Sequence, residues 1–272
     1  MLLALAALLK AIIYAAALTG SGIALARATL GNEVLAVAGR AASLSRWAGT
    51  TVALVGLLSA GVYGLRLGIA WDPPTLRWVF SSPLGAALAL QVVGGVWLAA
   101  GSQALMVPIA ALLVLLSFAV SGHAPSGSVL AATAIFLHVS AAAWWIGGIC
   151  ILREASRSLQ PASFSQLLRR FSSQALHVVA VLLIGGSLVA AYLLELDPDL
   201  SRPYHRVLLV KLGLAFLLLA LAAFNKFVLM PALTRQPSAL ISLRRSMASE
   251  LILFAAIAIT TAALTTKLSP HD

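Results

Sequence analysis

The stretch SVLAATAIFLHVSAAAWWIGGICIL, residues 128–152, carries no charged side chain. A helix that crosses a bilayer needs about 20 consecutive apolar residues, and this segment supplies them. One histidine, His138, interrupts it about ten residues from its N-terminal end. The nearest charged residue in sequence is Arg153, so any partner of the ring comes from elsewhere in the fold.

The rest of the chain reads the same way. Over 272 residues, 61% are hydrophobic and 10% charged, with a mean hydropathy of +1.01, far more apolar than a soluble domain. Eight segments qualify or nearly qualify as spans, at about 2–26, 47–70, 79–100, 103–121, 128–152, 174–194, 207–230 and 248–266. The fold class is therefore all-α, a polytopic membrane bundle of about eight helices. There is no Pro/Gly/Ser linker, low-complexity tail or repeat, so residues 1–272 read as a single integral membrane domain. The segment ALARA, residues 24–28, resembles a cleavage site, yet the start MLLALAALL lacks basic residues and Lys10 breaks the run. A retained first helix is expected rather than a signal peptide.

Charge sets the orientation. The loops 27–46, 101–102, 153–173 and 231–247 carry Arg27, Arg40, Arg46, Arg153, Arg157, Arg169, Arg170, Arg235, Arg244 and Arg245, with Lys226 close by. The other side holds only Arg77, Arg202, Arg206 and Lys267. Cations accumulate on cytoplasmic loops, which places both termini outside. The net charge of +10 is thus a topology signal and implies no nucleic acid partner. Lys10, Arg66 and Lys211 fall within outer halves of spans, where long stems snorkel. The single cysteine, Cys150, excludes an intramolecular disulfide and a CxxC metal site.

Polar side chains in hydrocarbon are costly and are either paired or used. His138 lies about 15 Å below the outer surface at 1.5 Å per residue. Its neighbours on the same helical face are Ala141, Ala142 and Trp145, small residues of the kind that admit another helix. Two readings stand: a histidine bridging two helices by hydrogen bonds, or a ligand. His123 in SGHAPSG falls in an outer loop, where a solvated role is ordinary. His205 follows Glu195, Asp197 and Asp199 in what reads as a solvated acidic turn, His177 reads as interfacial, and His271 belongs to the tail. Imidazole suits copper, zinc and haem iron. Met106, Met230 and Met247 lie towards the inner side, as soft ligands or as apolar filler. In the seventh span Lys211 and Asn225 share a face nearly four turns apart, and Pro231 closes the helix. Glu250 follows Arg244 and Arg245, and an ion pair with arginine is expected.

Several blocks in order resemble the CopD/PcoD copper-resistance family of bacterial inner-membrane proteins. They are SGHA at 121–124, LHVSAAAWWIGGICILR at 137–153, RRFSSQAL at 169–176, LLVKLGLAFLLLALAAFNKFVLMPAL at 208–233 and LRRSMASELILFAAIAITTAALT at 243–265. The first half of the chain matches only in hydropathy. The resemblance implies copper handling at the inner membrane, with import as the expected direction and a periplasmic copper-binding protein as a partner. It makes His123 and His138 the leading copper ligands, with Trp145, Gly147 and Gly148 as packing elements. His205 and His177 stand where the family pattern expects a small and an apolar residue, as extra ligands or neutral substitutions.

Two other functions are compatible with the residues. A membrane redox protein would hold haem between two histidines, although His138 and His177 differ in depth by about 10 Å on these boundaries. A non-transporting partner would dock a periplasmic copper chaperone through its outer loops. No nucleotide-binding loop, HExxH or GxSxG occurs, so no enzymatic activity is expected.

Overall fold

A computed structural model of the chain describes residues 2–31, 34, 38–68, 72–101, 105–121, 128–194, 201–233, 235–236 and 238–266. Among these residues the regular structure is entirely helical. In chain order the helices are α1 (Leu2–Thr29), α2 (Ala38–Leu67), α3 (Pro73–Ser81), α4 (Pro83–Ala100), α5 (Met106–Ser121), α6 (Val129–Ser158), α7 (Pro161–Leu194), α8 (Pro203–Phe224), a π-helical turn (Asn225–Leu229), α9 (Met230–Ala232) and α10 (Ala239–Thr266). Seven helical stretches are long and apolar enough to cross a membrane, and Met106–Val120 in α5 is a shorter apolar helix. The protein is a multi-pass helical membrane bundle.

Several helices continue beyond the expected spans. The helix α7 starts at Pro161 rather than near 174, because Phe164, Leu167, Leu168 and Phe171 form an i, i+3, i+4, i+7 stripe that is buried against the bundle. The expected span at 79–100 is divided at Ser82. There Ser82 accepts from Gly85 N and Pro83 occupies the first turn of α4. The preceding residues form α3, capped by Asp72, whose side chain accepts from Thr75 N at 2.8 Å, and begun by Pro73 and Pro74. Trp78 and Phe80 of α3 stay exposed, as aromatic residues do at a membrane–water interface.

Pro231 stands one residue before the end of its helix, which closes at Ala232 as expected. Proline has no N–H and its ring clashes with the carbonyl four residues back. The chain accommodates it by widening: Met230 N–H reaches Asn225 O, five residues earlier, and the helix runs on to a cap at Leu233.

Side-chain bonds gather the basic helix ends at one end of the bundle. Arg40 pairs with Glu154 at 3.0 Å, Arg170 donates to Leu30 O at 3.0 Å, and Arg244 donates to Ser156 Oγ at 3.1 Å. At the opposite end Lys10 Nζ donates to Thr265 O at 2.9 Å. This bond joins the first half of α1 to the end of α10, so Lys10 is paired within the bundle.

The helix α1 packs on α2, α5, α6 and α10. Its crossing with α6 is backbone against backbone: a Cβ on Gly147 would lie 1.9 Å from the Gly22 carbonyl carbon. A second crossing of this kind joins α2 to α4, where a Cβ on Gly49 would sit 2.6 Å from Gly95 O. Small residues permit this approach, and dispersion over the close contact is what holds helices together in lipid. By contrast α7 has its extensive packing on α6 alone, and α8 rests on α10.

Candidate functional site

His138 projects from α6 towards α7, half-buried. Its Nδ1 lies 2.8 Å from Leu182 O. A carbonyl oxygen only accepts, so Nδ1 carries a proton, and in the neutral ring Nε2 presents its lone pair. The neighbouring glycines of α7 make room for the ring. A Cβ on Gly186 would fall 2.9 Å from His138 Cε1 and 3.0 Å from Nδ1, and one on Gly185 would fall 3.1 Å from His138 Cβ. Lys211 lies in the first half of α8, half-buried. The ring thus sits in the contact between α6 and α7, held from one side by its hydrogen bond to the Leu182 carbonyl.

The other histidines are dispersed. His205 occupies the first turn of α8, 4% exposed, with its ring edge-on to Tyr204 at 5.8 Å between centroids. It is buried, in contrast to the solvated turn expected from the acidic residues before it. His177 is exposed on α7. It lies five residues before Leu182, about 140° around the helix, and so is turned away from the face that meets His138. His123, His271 and the carboxylates of Glu195, Asp197 and Asp199 lie outside the described residues. Among the described residues no group of three or more His, Cys, Asp or Glu side chains is positioned to hold a metal ion.

Deeper in the bundle the structure joins three sequence blocks. Glu250 of α10 is 4% exposed, with Oε2 accepting from Trp145 Nε1 of α6 at 3.3 Å and Oε1 accepting from Asn225 Nδ2 of the π turn. Asn225, the first residue of the widened turn, is buried in the bundle. Trp145 is fixed from its other side by Phe254, edge-on at 5.8 Å between ring centroids. The expected pairing of Glu250 with arginine does not occur. Arg244 precedes Glu250 by six residues, about 240° around the helix, and donates instead to the Ser156 hydroxyl and carbonyl at the end of α6. Arg245 is exposed.

The glycines of the same block each serve a contact. Gly147 admits α1. Gly148 admits the Phe171 ring, which stacks on Trp144 at 5.2 Å and 1°. Of the residues that organise the site, the sequence reading missed Gly185, Gly186 and Leu182. The adjacent glycines were a legible signal, whereas a backbone acceptor has no signature in sequence.

Residues 165–264 match the family model described as Copper resistance protein D. The resemblance noted from the sequence blocks is borne out over that segment. The chain is also 31% identical over 142 residues to the Copper transport protein CutJ of Bacillus subtilis (strain 168). The alignment covers 50% of this chain and 25% of the Bacillus protein, so the chain spans about a quarter of that relative's length. No solved structure matches the chain.

Proposed function

We infer, taking the match of residues 165–264 to Copper resistance protein D as the premise, that the chain moves copper inward across the bacterial inner membrane. His138 is the intramembrane ligand. The basic end of the bundle faces the cytoplasm by the distribution of cations, and both termini are periplasmic. His123 and His205, both assigned to the outer side by that topology, are the capture ligands, with His177 as a further ligand nearer the inner end.

The observation that supports this reading is the bond from His138 Nδ1 to Leu182 O. A second-sphere acceptor on one ring nitrogen selects the tautomer whose other nitrogen donates an electron pair to a metal, and fixes the ring plane. Nε2 is then a neutral σ-donor suited to copper. Transit needs binding strong enough for entry and weak enough for release. A single imidazole, with no group of three metal-ligating side chains among the described residues, meets the second requirement. Ligand exchange between such weak positions carries the ion, and a separate periplasmic copper-binding protein delivers it.

Cell-associated copper, measured by elemental analysis at matched membrane protein levels, tests the reading. Wild type is expected to accumulate copper above an empty vector, and His138→Ala to fall to the vector level. Accumulation by His138→Ala equal to wild type removes His138 from the pathway. Equality of all three removes independent import.

A further inference from the structure

Glu250 has no role in the copper path described above, and its surroundings are unusual for a carboxylate. Both oxygens accept hydrogen bonds, but the donors are the neutral indole of Trp145 and the neutral amide of Asn225. The elements packed on α10 are α1, α6, α8, α9 and the π turn. Their cations are directed elsewhere or lie at the ends of the bundle. Lys10 of α1 bonds Thr265 O at the outer end, and Arg27 sits in the last turn of α1. In α6, His138 faces α7, Cys150 is half-buried, and Arg153, Glu154 and Arg157 lie towards the basic terminus. Tyr204, His205, Arg206 and Lys211 lie in the outer half of α8, while Lys226 of the π turn reaches Ser172 O on α7 at 3.4 Å. Among the described residues no Lys, Arg or His approaches Glu250 within ion-pair distance. A full negative charge there is uncompensated.

The same site also accommodates the acid form. Asn225 Oδ1 is buried without a hydrogen-bond partner. A half-turn of the amide exchanges Nδ2 for Oδ1 in front of Glu250, so Asn225 donates to the carboxylate and accepts from the carboxylic acid O–H. Trp145 N–H donates to the other oxygen in either state. One turn nearer the basic end on the same face of α10, Ser246 Oγ is likewise buried without a partner.

We propose that Glu250, held by Trp145 and Asn225 beside the π turn, is a reversible proton-binding site that loads and releases one proton in the transport cycle. The step is the addition of one aqueous proton to a carboxylate oxygen, with rotation of the Asn225 amide, and its reversal. The coupling to transport rests on the copper reading above, whereas the proton site itself does not.

Infrared difference spectroscopy of the purified full chain in lipid vesicles tests the site without copper. A carboxylic acid C=O band is expected that disappears as pH rises, is absent in Glu250→Gln and shifts in Asn225→Ala through loss of the amide acceptor. Failure of the band to appear, or its persistence in Glu250→Gln, overturns the site. Copper entry into vesicles under an imposed pH gradient tests the coupling: wild type is expected to respond to the gradient, and Glu250→Gln to lose the response. An equal response in Glu250→Gln overturns the coupling. A titrating band in a wild type that takes up no copper overturns the copper reading and the coupling while supporting the proton site.

Discussion

His138 Nδ1 and the Leu182 carbonyl stand 2.8 Å apart and join α6 to α7. The ring fits because α7 presents Gly185 and Gly186 beside it. A methyl at Gly186 would contact Cε1 at 2.9 Å, closer than two such groups tolerate, and would push the ring off the carbonyl. Gly186→Ala is therefore expected to forfeit a hydrogen bond worth about 1 kcal/mol and to lower copper accumulation with membrane protein levels kept. Unchanged accumulation would separate the Leu182 bond from function.

The crossing of Gly22 and Gly147 leaves no space for a side chain. Gly147→Ala is expected to destabilise the bundle by about 1–3 kcal/mol or more through overpacking, read as a lower melting temperature in detergent and less protein in the membrane. Gly213, in the interior of α8, has nothing within 4 Å of an added Cβ. Gly213→Ala is expected to be neutral or stabilising by about 0.5–1 kcal/mol. A reversal of that order would contradict the described packing.

Two arginines at the basic end should differ sharply. Arg244 is half-buried and donates to both Ser156 Oγ and Ser156 O, so Arg244→Ala leaves acceptors at the end of α6 unpaired and costs about 1.5–3 kcal/mol. Arg40 pairs with Glu154 but its side chain is 81% exposed, and exposed pairs contribute little. Chemical denaturation of the two variants should show a clear shift in the midpoint for Arg244→Ala and almost none for Arg40→Ala.

Acid should loosen α3 before the spans. The hydrogen bonds from Thr75 hold the Asp72 carboxyl below its ordinary 3.8. A depressed folded value means that the cap contributes fully above the unfolded pKa and is lost as pH falls through the folded one. Hydrogen exchange in residues 73–81, corrected for the intrinsic rate, should therefore speed up below about pH 4 in wild type. In Asp72→Asn, which keeps an acceptor but no titrating group, the acid-dependent step should vanish.

The spans were legible because hydropathy over about 20 residues is a strong and local signal. The extensions were less so: Phe164, Leu167, Leu168 and Phe171 do carry a helical period, but they sit among charges that lower the hydropathy of the window. The break at Ser82 was written as Ser-Pro, and the cap of α3 as Asp-Pro-Pro. At the site, Trp145, Asn225 and Glu250 were each singled out, yet their convergence depends on the mutual rotation of three helices. Sequence proximity pointed Glu250 at Arg244, and helical geometry turned that arginine away. The widening at Asn225 could not be read either, since Pro231 by itself predicts an end to a helix rather than a π turn.

The glycine crossing of α1 with α6 bears on how the chain is made. The helix α1 is synthesised before α6, and the partner that its Gly22 fits emerges only after α2, α3, α4 and α5. Until then α1, with Lys10 in its first half and Ser21 in a position that becomes wholly inaccessible, waits in lipid beside its hairpin neighbour α2. Lys10 waits longer, since its acceptor on Thr265 arrives with α10. Contacts of such wide sequence separation are made late and slowly, so a ribosome stalled before α6 would leave a bundle that is inserted but not closed.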